Sequence, residues 1–462
     1  MEIAKRNGAV KDMTVGIPWK LISGFALPVF LSQLFQQLYN TIDSLIVGNV
    51  HGTNSLAAVS SSGNLIFLLT SFFIGFTMGA GIVISKYFGA KDEESVSKAV
   101  HTNIALGLVS GVLLSVVGVV FTPTFLRWMD TDPKIMDEAV SYFRWYFAGA
   151  LAIVMYNTFK SIMNAVGDSK RPLYYLIFSS VLNVLLDLLF VAVFKWGVWA
   201  AAFATTLSQA ASMVLCVIRF SKRDTVYHVE LKKIGFDKRI FREIIRYGLP
   251  AGVQNSVIGL ANVIVQTNIN SFGSCATAAY GTYSKIEGFA FLPINSFTMA
   301  LTTFVGQNLG AKEYDRAKKG SRFGIISAVV LAELTGLVIW FAAPFLVSLF
   351  DKNNDPEVIA LGAQQARIEA FFYCLLAFSH AVASVCRGAG KAFVPMGVML
   401  AVWCVFRITY ITVMMHWIHE IRFVYWAYPI TWGISSIIFL CYYLFSDWVH
   451  GFEKTGVFFP RK

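Results

Sequence analysis

The chain has 462 residues, of which 56% are hydrophobic and only 14% charged, with a mean hydropathy of +0.61. That composition excludes an ordinary water-soluble domain and reads as an integral membrane protein. The formal charge of +11 carries no nucleic-acid signal, because the basic residues collect in connecting loops without interleaved aromatics; it reflects membrane orientation and attraction to anionic lipid headgroups.

Apolar stretches long enough to cross a hydrocarbon core of about 30 Å recur along the whole chain. They predict an all-α protein with twelve transmembrane helices, near 21–48, 56–85, 99–122, 139–166, 173–194, 198–220, 244–270, 277–305, 322–349, 359–388, 395–416 and 424–447. The first is too long and too polar at its end for a signal peptide, so the N-terminus is expected to be retained. It carries Pro28, which removes a backbone hydrogen bond and bends the helix. It also carries Gln36, Tyr39, Asn40 and Asp43, whose spacing places all four on one helix face that cannot look at lipid.

The second stretch ends at Gly89-Ala90-Lys91, and the fourth holds Arg144 and Lys160. In the fifth, Asn183 and Asp187 lie one turn apart; in the sixth, Thr205 and Gln209 repeat that spacing. A basic run from Arg219 to Arg246 is the only substantial linker. Pro250 then stands in the seventh stretch as Pro28 stands in the first, although Val265 occupies the place that would correspond to Asp43. The eighth stretch carries Lys285 and Glu287, the ninth Glu333, the tenth Arg367 and Glu369, and the eleventh Arg407. His416 and His419, one turn apart near the end of the eleventh, have only Glu420 as a third metal ligand and read as interfacial residues. Cys216, Cys275, Cys374, Cys386, Cys404 and Cys441 have no paired spacing and read as packing residues rather than a disulfide framework or metal site.

Charge placement orients the chain. With the N-terminus in the cytoplasm, the outer loops hold only Arg127, Lys134, Lys195, Lys352 and Arg422, while most of the 38 Lys and Arg residues fall inside. Both ends are therefore expected in the cytoplasm, with the protein in the cell's inner (plasma) membrane.

The halves repeat each other. Phe25-Ala26-Leu27-Pro28 pairs with Tyr247-Gly248-Leu249-Pro250, Gly89-Ala90-Lys91 with Gly310-Ala311-Lys312, Pro123 with Pro344, and Gly167 and Pro172 with Gly390 and Pro395. The spacing stays constant to within a residue or two, as in a duplicated membrane bundle. The expected organisation is an N-terminal lobe over 1–220, a cytoplasmic linker over 221–243, a C-terminal lobe over 244–447 and a cytoplasmic tail over 448–462.

Ionisable groups inside spans are costly and become functional candidates by default. Asp43 and Asp187 with Asn183 and Thr205 would supply only oxygen ligands, which suit a hard cation such as Na⁺ or a proton. Hydrogen bonding between helices would explain the Asn and Thr alone, but does not require carboxylates. Glu287, one turn after Tyr283, is a candidate for a cavity wall, whereas Glu333 and Arg407 have no assigned role. No nucleotide-binding motif is present: Gly310-Ala311-Lys312 follows no strand and precedes no Ser or Thr.

These residues together resemble the multidrug and toxic compound extrusion (MATE) family, in particular its prokaryotic DinF-like branch. The resemblance rests on Leu27-Pro28 followed by Asp43, Gly89-Ala90-Lys91, Gly306-Gln307-Asn308-Leu309-Gly310-Ala311-Lys312, and Ala165-Val166-Gly167-Asp168 before Pro172. It extends to Asn183-Val184-Leu185-Leu186-Asp187 and the run Ala200-Ala201-Ala202-Phe203-Ala204-Thr205 with Ser208-Gln209. It implies two pseudo-symmetric six-helix lobes in a V, and an antiporter that exports hydrophobic or cationic organic compounds in exchange for H⁺ or Na⁺. No other cofactor is implied, membrane lipids are the surroundings, and a monomer suffices.

Carried over by position, the resemblance places the cation or proton site on Asp43, Asn183, Asp187 and Thr205. It places the substrate cavity and its gating on Pro28, Gln36, Tyr39, Asn40, Gln209 and Glu287. Another branch has an acid eight positions after the span-seven proline; Ile258 stands there in this chain, which argues for coupling in the first half. A flippase for lipid-linked sugars or another metabolite exporter of the same superfamily is the alternative, although such proteins commonly have more spans and an arginine-rich cavity. An intramembrane aspartyl protease is disfavoured, because Val184-Leu185-Leu186 precede Asp187 in place of Gly-x-Gly.

Overall fold

The computed structural model describes residues 10–51, 53–128, 131, 133–351 and 354–454, the side chains of 44, 45, 47–69 and 454 excepted. Helices follow one another along the chain: α1 Pro18–His51, α2 Thr53–Gly89, α3 Glu93–Trp128, α4 Met136–Ala148, α5 Ala150–Ala165, α6 Lys170–Asp187 and α7 Trp199–Phe220. The second half contributes α8 Lys238–Asn270, α9 Ser274–Gly310, α10 Tyr314–Phe350, α11 Pro356–Ala370, α12 Tyr373–Gly388, α13 Phe393–Met399, α14 Arg407–Trp417, α15 Ile421–Phe445 and the short α16 Gly451–Lys454. π-Helical stretches extend α6 over Leu188–Val193 and join α13 to α14 over Leu400–Phe406.

Among the described residues, ten helical stretches are long and apolar enough to cross a membrane, and α11 with α12, bent by 53°, makes an eleventh. The fourth predicted segment corresponds to α4 and α5 laid end to end through Gly149. Each predicted segment thus coincides with a helix or with helices joined end to end, and the all-α expectation holds.

The break at Gly149 and the bend between α11 and α12 have local causes. At Gly149 a Cβ would come within 2.2 Å of the Thr206 side chain, so α7 approaches the backbone where α4 gives way to α5. At the other bend, Glu333 of α10 accepts the Cys374 N–H at 2.9 Å. That carboxylate supplies an acceptor in the first turn of α12, where no carbonyl of its own helix is available.

The chain divides into two compact units, and the division does not fall at the linker. Unit 1 contains Leu31–Gly252 with the chain up to Asp12; unit 2 contains Met13–Phe30 and Val253 onward. Both helices that open a half therefore change unit partway along, α1 just after Pro28 and α8 just after Pro250. Proline lacks the amide that would bond the carbonyl four residues back. The carbonyls of Gly24 and Arg246 lose their usual helical donors, and each helix can be recruited separately on either side.

Within unit 1, helices approach through small residues, since lipid gives apolar side chains little reason to associate. A Cβ on Gly75 or Gly79 of α2 would lie 2.3 or 2.4 Å from the backbone nitrogens of Gly252 or Gly248, so two Gly-x-x-x-Gly faces meet backbone to backbone. Just beyond, Lys86 Nζ pairs with Glu243 at 3.2 Å and the Tyr87 hydroxyl donates to the same carboxylate at 2.7 Å. The linker lies on this unit too: the Glu230 N–H donates to His101 Nε2 at 3.0 Å and the Asp237 N–H to Thr102 Oγ1 at 3.2 Å. Tyr227 donates to Asp168, which also pairs with Arg171 at 2.6 Å; burial first, then the Asp168 charge, pushes the Tyr227 hydroxyl well above the usual phenol range.

Unit 2 contains the corresponding anchor. The Met13 N–H donates to Gln307 Oε1 at 2.9 Å, while Asn308 Nδ2 and the Arg316 guanidinium donate to the Met13 carbonyl at 3.1 and 3.2 Å. The repeat extends to backbone conformation. Lys91 and Lys312 are both left-handed, at φ 59° and 61°, as are Gly167 and Gly390 at 85° and 75°. Each follows a helix closed by a bond that reaches back five residues: Asp92 to Tyr87, Glu313 to Asn308, Asp168 to Met163 and Lys391 to Cys386. Those are the bonds of the glycine-type helix stop, present in two matching pairs.

Candidate functional site

In unit 1, α1 carries Tyr39, which is buried, and Asp43, which is half-buried; Gln36 is half-buried and Asn40 exposed. The spacing of Gln36, Tyr39 and Asp43 brings them toward α6 and α7. The carboxyls of Asp43 and Asp187 face each other within hydrogen-bonding reach. Tyr39 lies within reach of Gln36 and Gln209, and Asn183 Nδ2 donates to Thr205 Oγ1 at 3.4 Å. Two helical turns, one from Asn183 to Asp187 and one from Thr205 to Gln209, therefore lie side by side next to the α1 face.

The cluster is rich in acceptors that have no donor. Asp43 Oδ1, both Asp187 carboxylate oxygens, Asn183 Oδ1 and Gln209 Oε1 are buried without a hydrogen-bond partner. Leaving one such group unmet costs about 1–3 kcal/mol, so the cluster is a place where a donor, whether water, a proton or a cation, gains by binding. Among the described residues no three His, Cys, Asp or Glu side chains converge as a metal site; the donor set here is two carboxylates with amide and hydroxyl oxygens, which suits a hard monovalent ion or a proton. Asp187 closes α6, and a π-helical stretch begins at the next residue. Such widened turns displace the hydrogen-bond ladder and recur at functional sites.

Two members were missed in the sequence. Tyr142 of α4 lies within electrostatic reach of Asp43, Asp187, Tyr39 and Tyr146, and it stacks on Tyr146 with ring centroids 6.5 Å apart. Their one-turn spacing was the available signal, but tyrosines in an aromatic-rich chain did not stand out as the aspartates did. His419 stacks on Phe272 with ring centroids 4.6 Å apart.

Pro28 and Glu287 belong to unit 2. Glu287 lies within electrostatic reach of Arg407 and forms, with Glu369, a second buried polar region. There Gln365 donates to Glu369 at 2.8 Å, Tyr283 and Tyr373 share a 2.8 Å bond, and Arg407 donates to Thr431 at 2.8 Å with its guanidinium 4.4 Å from the Tyr428 ring centroid. The Glu333 carboxylate lies at the α11–α12 bend, where the Cys374 N–H occupies it.

A duplicated helical bundle of membrane-crossing length, with no strand among the described residues and buried acids inside the spans, defines a multi-pass membrane transporter. The MatE family model matches residues 28–189 and 250–413, two blocks that begin at the paired prolines. The chain is 29% identical over 436 residues to the "Probable multidrug resistance protein YoeA" of Bacillus subtilis strain 168, covering 92% of this chain and 94% of that protein. A solved "outward-facing conformation of a multidrug resistance MATE family transporter of the MOP superfamily" superimposes with a TM-score of 0.89 at 23% identity, covering 97% and 99% of the two chains. A MOP superfamily transporter from Pyrococcus furiosus, described as having a binding pocket of reverse polarity that suggests a different function, also reaches 0.89 at 23% identity over 94% and 97%. The chain belongs to the MatE family: it is a multidrug-efflux-type transporter of small molecules and not an enzyme.

Proposed function

We propose that the protein is a secondary antiporter that exports hydrophobic or cationic organic compounds in exchange for H⁺ or Na⁺, with the coupling ion held in the first half by Asp43, Asn183, Asp187 and Thr205. The observation that carries this reading is the buried group of acceptors without donors around Asp43 and Asp187. A cation or proton entering there removes the unmet desolvation, and a substrate cation drawn to the same carboxylates competes with it. Pro28 is the bend through which α1 would respond, and Gln36, Tyr39, Asn40, Gln209 and Glu287 line or gate the substrate path. Only a difference in ion affinity between two states can drive the cycle.

The protein would sit in the plasma membrane as a monomer with both ends in the cytoplasm, surrounded by lipid and using no cofactor beyond the coupling ion. The names of relatives such as YoeA support drug export. A metabolite or lipid-linked sugar exporter is the second reading, since one neighbour of the same fold is described as differing in pocket polarity; buried Arg407 in unit 2 is the feature that favours it. Efflux of a fluorescent organic cation from proteoliposomes, driven separately by imposed H⁺ and Na⁺ gradients, tests the proposal. Transport driven by one gradient supports it, and no response to either contradicts it.

A further inference from the structure

Unit 2 has a cleft of about 820 Å³, within the range of ligand sites, that the transport reading does not use. Its walls come from the end of α10, from α11 and from the start of α15. Because α10 runs from Tyr314 to Phe350, this lies at the membrane face opposite the Gly310-Ala311-Lys312 turn. Arg367, Arg422, Asn354, Gln364 and Trp426 give it polar and amphipathic groups, and apolar residues such as Ile359 and Ile368 continue the wall. None of the residues that line it is acidic.

Arg367 makes the cleft informative. It lies about three helical turns beyond the α11 N-terminus, within a membrane-crossing segment, and its side chain is exposed. Neither it nor Arg422 forms an ion pair with an acid among the described residues; the guanidinium of Arg367 stands 6.0 Å from the Trp340 ring centroid. An exposed guanidinium with no acidic partner on a helix that crosses the membrane is unfavourable against hydrocarbon unless an anion comes to it. A phosphodiester fits, since guanidinium groups bind it through paired N–H donors, and an acyl chain fits the apolar wall below. A tryptophan at the rim suits the headgroup level.

We infer that this cleft binds the headgroup of an anionic phospholipid, with Arg367 and Arg422 on the phosphate and the acyl chains along α10 and α11. The test is native mass spectrometry of the full chain titrated with phosphatidylglycerol or phosphatidylcholine, in native and Arg367→Gln/Arg422→Gln forms. The expected result is one retained phosphatidylglycerol, preferred roughly 30-fold over phosphatidylcholine, with the preference abolished in the double variant. Equal retention of the two lipids, or an unchanged preference in the variant, would overturn the inference. Displacement of the lipid by millimolar inorganic phosphate would also overturn it, assigning the site to a free anion. Should the double variant fail to fold, quenching of native fluorescence by brominated phosphatidylglycerol, compared with Trp426→Phe, gives an independent reading: a loss of quenching in Trp426→Phe supports the site, and identical quenching contradicts it.

Discussion

Asp43 and Asp187 confront each other with Asp43 Oδ1 and both Asp187 carboxylate oxygens buried and unpartnered, and the transport proposal turns on that. Replacing Asp43 by Asn keeps the shape and removes the charge. Gradient-driven efflux is then expected to fall by roughly tenfold or more, the scale of a coupling of 1–3 kcal/mol, with normal expression; undiminished efflux would contradict the assignment. A separate residue-scale prediction concerns Lys86 and Glu243, buried at 1% and 3% exposure. Glu243→Gln removes the carboxylate charge that faces the buried Lys86 ammonium and is expected to destabilise by about 3–5 kcal/mol, read as a lower Tm in detergent. Lys86→Met combined with Glu243→Leu should recover much of that loss. A double variant as unstable as the single one would show that the pair is not the cause. The aspartates were legible because charges are rare in such a chain. Tyr142 was not, because one tyrosine among 18 carries no such signal, and neither was Glu333, whose acceptor role depends on a bend that no periodicity reveals.

Among the elements, proline and glycine do different work. Pro28 and Pro250 mark where α1 and α8 pass from one compact unit to the other. Sequence alone could predict a bend at each, but not that the chain would change packing partners there, which depends on contacts far apart in sequence. Pro28→Ala restores the missing amide and is expected to lower transport severalfold while leaving substrate binding intact; unaltered transport would remove the bend from the mechanism. The α2–α8 contact is different, since four glycines allow backbones to touch. Gly79→Val would place a side chain where the Gly248 backbone already lies. Overpacking of this kind costs about 1–3 kcal/mol, so thermal melting should fall by several degrees, whereas an unchanged melt would mean that the helices are not held at that distance.

For the molecule as a whole, duplication set the fold and divergence set the chemistry. The left-handed Lys91 and Lys312 and the paired Gly167 and Gly390 retain the same helix stops, and the family match opens at Pro28 and again at Pro250. The buried acids are not repeated: Asp43 has Val265 at its counterpart position, and unit 2 carries Glu287, Glu369 and Arg407 in an arrangement of its own. The asymmetry makes a claim about function, namely that ion coupling belongs to the first half. The direct measurement is to compare gradient-driven efflux with downhill substrate exchange in proteoliposomes bearing Asp43→Asn, Asp187→Asn or Glu287→Gln. The account predicts that both aspartate variants still exchange substrate but no longer respond to the ion gradient, while Glu287→Gln still responds. Coupling that survives in the aspartate variants and disappears in Glu287→Gln would contradict it.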